Sequence, residues 1–202
     1  MKLYFTPFAC SLATRIAIDE AELDAEFIQV KRDQPLPDGR DFLAISPMGY
    51  VPAMESGSVT LTEGPAVLTY IADLAAEGVL APAPYTAERY ELTKWLNFIS
   101  TELHKAVFAP LFGAGNEGAK EHARHLIAKR FDLLSRHLDG RSYLLGTFSV
   151  ADAYLFAVLN WSEFVGVPIA DWPVLKAWRD GLRARPSVAR AIATEMPLRQ
   201  AA

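Results

Sequence analysis

The stretch Lys2-Leu3-Tyr4-Phe5-Thr6-Pro7-Phe8-Ala9-Cys10-Ser11 opens a chain of 202 residues, and its reading decides the architecture. Lys2 to Thr6 is a short β-favouring run, Pro7 breaks it, and apolar residues then recur at helical spacing from Ser11 to Ala21. A strand gives way to a helix, with Cys10 at the junction. That position predicts a sulfur beside unpaired helix N–H groups, whose partial positive charge favours a thiolate. Cys10 is the only cysteine of the chain, so its redox chemistry would need a second molecule, such as a small thiol. The bland reading of a lone cysteine is a small buried hydrophobe; the strand–Pro–helix context favours the chemical reading here.

Beyond the first helix, Glu26–Val30 reads as a second strand and completes a β-α-β unit. Ala53-Met54-Glu55 and Val59-Thr60-Leu61 flank Ser56-Gly57-Ser58 and predict a hairpin. A helix follows from Ala66 to Leu74, with Pro65 in the first turn, where N–H groups lack partners anyway. Ala81-Pro82-Ala83-Pro84 reads as a linker. Past it the periodicity predicts helices over about 85–112, 119–138, 149–165, 172–184 and 187–195, with no strand strong enough to name. The expected organisation is an α/β domain at 1–79, a linker at 80–84 and an all-helical domain at 85–202.

Composition narrows the function. Hydrophobic residues make up 51% of the chain and charged ones 22%, which suits a packed core rather than disorder. A net charge of -4 offers no basic footprint for nucleic acid. No run approaches the ~18 apolar residues of a membrane span, and no signal-peptide pattern precedes the first strand. The expectation is a cytoplasmic protein without nucleic-acid or membrane partners.

Three further stretches could carry chemistry. Tyr50-Val51-Pro52 could hold a cis bond that turns the Val51 backbone towards an extended peptide ligand, or a trans edge-strand proline. Thr62-Glu63-Gly64 enters a helix. Its free N–H groups suit a carboxylate and Glu63 suits an ammonium group, a receptor for an α-amino acid head. The alternative is an acidic residue that only complements the helix dipole. Asn97, Thr101 and His104 are spaced i, i+4, i+7 and share a helical face, beside an apolar face of Leu92, Leu96, Ile99 and Leu103. A solvated polar face is the plainer reading. Ser149-Val150-Ala151-Asp152 has the capping-box pattern. His122, His125 and His137 lack partners at metal-ligand spacing, so no metal is expected.

Taken in order, these stretches resemble the glutathione transferase family, and within it the bacterial beta class. The resemblance rests on Leu3-Tyr4-Phe5 through Ala9-Cys10-Ser11-Leu12, Gly49-Tyr50-Val51-Pro52-Ala53, Leu61-Thr62-Glu63-Gly64, Trp95-Leu96-Asn97 through His104-Lys105, and Ser149 through Leu155. It implies a thioredoxin-like N-terminal domain, an all-α C-terminal domain, a cytoplasmic homodimer and glutathione as co-substrate. Carried over by position, Cys10 lies at the glutathione sulfur and can form a mixed disulfide with it. Val51, before a cis proline, pairs with the cysteinyl part, and Glu63 and Gly64 hold the γ-glutamyl head. Asn97 and the segment Thr101, Glu102, Leu103, His104 supply a wall, with His104 near the sulfur. Gln34 stands where the class has a lysine for the glycine carboxylate; Phe8, Met48 and Tyr50 also depart from the class. The implied reaction adds glutathione to an apolar electrophile between the domains. Disulfide exchange through Cys10 and non-catalytic binding of apolar ligands are the alternatives.

Overall fold

The structure is a computed structural model and describes residues 1–113 and 116–200. Contacts divide the chain into one unit, Met1–Ala81 with the C-terminal helix, and a second, Pro82–Arg185.

In the first unit, β1 (Lys2–Phe5) runs parallel to β2 (Glu26–Gln29) and antiparallel to β3 (Ala53–Ser56), which pairs with β4 (Val59–Thr62). The sheet order is β2-β1-β3-β4. β1 is therefore central, and this explains its lack of polar alternation: Leu3, Tyr4 and Phe5 are all buried. Leu3 stands opposite Phe27 on one side and Met54 on the other. The β3–β4 connection is two residues long, and Gly57 takes φ 59 there, a value that suits a hairpin turn and only glycine adopts freely.

The helix α1 (Leu12–Glu20) buries Leu12, Ala13, Ile16 and Ala17, and α2 (Gly64–Leu74) buries Val67, Leu68, Ile71 and Ala72. Both sets recur at i, i+1, i+4, i+5, a stripe that lets the two helices pack together. Each fully buried Leu or Ile contributes about 1.5–3 kcal/mol. A separate cluster of Tyr4, Ile28, Leu36, Phe42, Ile45 and Ala53 packs the irregular segment between β2 and β3.

The second unit starts with α3 (Ala87–Phe98), capped by Thr86, whose hydroxyl accepts from the Arg89 N–H. α3 continues without a break into a π-helical segment, Ile99–Phe108, and then into the single turn α4 (Ala109–Phe112). α5 (Glu117–Leu138) follows, then α6 (Val150–Asn160), the turn α7 (Ser162–Val165) and α8 (Pro173–Arg183). All eleven residues of α6 are buried, which makes it the axis of the unit. No strand occurs among the described residues of this unit.

Two expectations change. The helix anticipated over 149–165 is two helices, because the ladder tightens at Trp161, whose N–H donates to Val158, while the Asn160 side chain donates to the Phe156 carbonyl. The last helix, α9 (Pro186–Gln200), was expected within the helical domain and instead belongs to the first unit, packed on α1. Val188, Ala191 and Glu195 form its buried face. The division between the units falls at Ala81 and Pro82.

Candidate functional site

Cys10 sits in a closed loop between β1 and α1. The Ser11 hydroxyl accepts from the Thr6 N–H at 3.3 Å and donates to the Thr6 carbonyl at 3.2 Å, and the Ala9 N–H donates to the same carbonyl at 3.0 Å. The helix N–H groups expected to be unpaired beside the sulfur are occupied. Ser11 already has helical angles, so the turn extends backwards: the Leu12 and Ala13 N–H groups donate to Ala9 and Cys10 carbonyls. Cys10 is 9% exposed, and its Sγ donates to the Val51 carbonyl at 3.1 Å. A thiol can make that bond; a thiolate would face a carbonyl oxygen with like charge. The Val51–Pro52 bond is cis. Two residues singled out from distant stretches are thus in direct contact.

Glu63 and Gly64 open α2. Glu63 precedes the helix at φ 69, ψ 118, a backbone region unfavourable for any residue with a side chain, and it is exposed. The Gly64 and Ala66 N–H groups lack intrahelical acceptors by the geometry of a helix start, and Pro65 has no N–H to contribute. Gln34 is exposed and lines a cleft of about 690 Å³ with Thr6, Lys31, Arg32, Leu43 and Gly49. Cys10, Val51 and Glu63 do not line that cleft.

In the second unit, Asn97 and Thr101 are exposed on successive turns, and the Thr101 hydroxyl donates to the Asn97 carbonyl at 3.0 Å. Glu102 pairs with Arg130, which also donates from Nε to the Glu102 carbonyl at 3.0 Å. Leu103 is 0% exposed and packs in the core rather than forming a wall. His104 lies in an aromatic cluster: its Nδ1 is 2.9 Å from the Tyr154 hydroxyl, and its ring centroid is 4.7 Å from that of Trp161. Burial pushes the imidazole down to about 4, with Lys105 acting in the same direction, so His104 is neutral at pH 7. Phe112, half exposed, stacks edge-on against Trp161. His137 bonds the Leu144 carbonyl and packs on Trp95, a structural role. Among the described residues no group of three His, Cys, Asp or Glu could hold a metal, and no helix is long and apolar enough to cross a membrane.

Reading the sequence missed two polar clusters of the first unit. The Tyr4 hydroxyl donates to Glu55 and accepts from Arg40, which also grips Glu55 at 3.0 Å. Burial and the Glu55 carboxylate push Tyr4 up to about 12, while Arg40 holds Glu55 down at about 2. The second cluster joins Phe8, Arg15 and Glu195. Its signal was a glutamate at i+7 and i+4 from Val188 and Ala191, a charge placed on an apolar face.

Known proteins agree with this architecture. The family model for the N-terminal domain of glutathione S-transferase matches residues 1–73, and that for its C-terminal domain matches residues 98–186. Glutathione S-transferase GstA of Escherichia coli O157:H7 is 35% identical over 96% of this chain and 98% of its own length. A sphingomonad glutathione S-transferase complexed with glutathione is 41% identical, with a TM-score of 0.91, over 96% of this chain and 98% of that one. The bacterial beta class enzyme of Sphingomonas chungbukensis is 40% identical with a TM-score of 0.90, over the same shares of the two chains. With both domain models matched and these relatives aligned along nearly its whole length, the chain belongs to the glutathione S-transferase family and stands with its bacterial beta class.

Proposed function

We propose that this enzyme conjugates glutathione to an apolar electrophile. The observation that carries the proposal is the near full-length match to the sphingomonad transferase complexed with glutathione, joined to the contact between Cys10 and Val51. In this reading Val51 pairs its backbone with the cysteinyl part of glutathione, and the sulfur lies near Cys10. Glu63 and the α2 start hold the γ-glutamyl ammonium and carboxylate. Gln34 faces the glycine end, beside Lys31 and Arg32. Asn97, Thr101 and neutral His104 are proposed as further polar contacts, and half-exposed Phe112 as an apolar surface for the electrophile. Catalysis consists of holding a thiolate of glutathione against its electrophile through fixed donors. Homodimerisation and a cytoplasmic location accompany the proposal.

Disulfide exchange by Cys10 is not favoured. The relatives above are transferases, and the Cys10 thiol is engaged as a donor to a carbonyl instead of standing among free N–H groups. The decisive experiment assays an aryl halide and a glutathione mixed disulfide side by side, with unaltered protein and with Cys10→Ala. Conjugation that survives Cys10→Ala within about tenfold, the scale of one lost contact of ~1.4 kcal/mol, supports the proposal. Disulfide reduction that exceeds conjugation and vanishes in Cys10→Ala overturns it.

A further inference from the structure

Phe8 takes φ 60 two residues before Cys10, a conformation that a non-glycine residue keeps only where its surroundings enforce it. Three things surround it: the turn Thr6–Ala9, the Glu195 carboxylate and the Arg199 guanidinium, 5.7 Å from the ring centroid. Its ring is buried, and the turn Thr6–Ala9 closes around it through the Ala9 N–H. Its own N–H donates to Glu195 Oε2 at 2.8 Å, across 187 positions of sequence. The Glu195 side chain is 0% exposed, and its Oε1 accepts from Arg15 Nε at 2.8 Å. The Arg15 guanidinium lies over the Phe27 ring, 3.8 Å from its centroid. A buried carboxylate is tolerated only when its oxygens are satisfied. Here one oxygen serves α1 and the other serves the backbone of the Cys10 loop.

We infer that Glu195 is a positioning residue: it holds the Phe8 amide and so keeps the Thr6–Ser11 loop in the path that sets Cys10 against Val51. The inference rests on the assignment of this loop to the glutathione sulfur. The competing role is purely structural, a tie between α1 and α9 through Arg15. The two roles differ in what the loop feels. A tie stabilises the unit whatever residue stands at position 8, whereas a clamp on a strained amide matters most when that residue has a side chain. Glycine adopts φ 60 without cost, so Phe8→Gly removes the strain against which the clamp works.

The test is a double-mutant cycle of Glu195→Leu and Phe8→Gly, read by the rate at which Cys10 reacts with an aromatic disulfide reagent in the absence of glutathione. Losing a charged hydrogen bond should open the loop about tenfold more often, so Glu195→Leu should speed Cys10 modification about tenfold in the Phe8 background. In the Phe8→Gly background the same change should give under about threefold, because the coupling of the pair is lost. KM for glutathione should rise in Glu195→Leu while kcat stays within about twofold. An unchanged Cys10 rate in folded Glu195→Leu, or an equal effect in both backgrounds, overturns the inference. If Glu195→Leu does not fold, hydrogen exchange of the Phe8 amide in the unaltered protein decides: strong protection supports the clamp, and exchange at the unstructured rate overturns it. Cys10 rates need no glutathione, so a protein that fails to conjugate glutathione would refute the proposed function and leave this measurement standing.

Discussion

Glu63 pairs a strained backbone with an exposed carboxylate, and the two can be separated by experiment. Its φ of 69 is unfavourable for Glu and Ala alike but free for Gly. Glu63→Ala should therefore leave the melting temperature nearly unchanged, and Glu63→Gly should raise it. Both should weaken glutathione binding about tenfold to a hundredfold, because a charged hydrogen bond to the ligand ammonium contributes ~1.5–3 kcal/mol. Calorimetry and thermal denaturation on the same samples check this. Unchanged affinity in both variants would leave Glu63 with the helix dipole alone. The motif Thr62-Glu63-Gly64 was readable as a receptor because residue types advertise charge. Its backbone angle was not readable, since a positive φ at Glu has no residue-type signal such as Gly57 provides. The positive φ of Phe8, a residue noted only as a departure from the class, was unreadable for the same reason.

Capping is the feature of α6 on which a single atom has a measurable effect. Asp152 accepts from the Ser149 N–H at 2.9 Å, the Ser149 hydroxyl at 2.8 Å and the Leu144 N–H at 2.8 Å, all in a buried environment. Ser149→Ala removes one of these bonds and the cap itself, at a cost of about 1 kcal/mol. For a chain of this size that lowers the melting temperature by roughly 2–4 °C. An equal melting temperature would contradict the capping role. This box was visible as Ser-x-x-acid before an apolar run, because capping is local chemistry. The π-helical segment was not. Leu92, Leu96, Ile99, Leu103 and Val107 keep one apolar stripe by steps of three and four, as an α-helix does, while the hydrogen bonds behind them shift to i→i+5. A stripe reports which face is buried and says little of the ladder that turns it. Asn97, Thr101 and His104 were grouped on α-helical spacing, and the wider turns redistribute them: Asn97 and Thr101 stay exposed, while His104 sits in its aromatic cluster.

Two buried groups of the second unit oppose each other in pH, so that the protein as a whole conceals both. His104 titrates at about 4 against an ordinary 6.5. Its folded form refuses a proton that the unfolded chain takes, so its contribution is present above pH 6.5 and lost as pH falls towards 4. Asp152 is pushed up by burial to about 6 from 3.8. Its folded form keeps a proton that the unfolded chain releases, so its contribution is present below pH 3.8 and lost as pH rises through 6. At 1.36 kcal/mol per unit, each amounts to roughly 3 kcal/mol. Glu195, raised by burial, acts in the direction of Asp152. Glu55, held at about 2, loses its contribution only as pH falls below 4.5. Between pH 4.5 and 6.5 the unaltered protein should therefore show a nearly flat stability. His104→Gln should become more stable on acidification across that window, by roughly 2–3 kcal/mol, since only the opposing carboxylates remain. Asp152→Asn should be less stable at every pH, because one of its donors loses an acceptor, and should decline on acidification by at most about 2 kcal/mol, since Glu195 still opposes His104. Urea unfolding at a series of pH values measures all three slopes. Parallel curves would mean that neither group keeps its displaced titration in the folded protein, and His104 would then be open enough to water to carry a charge at pH 6.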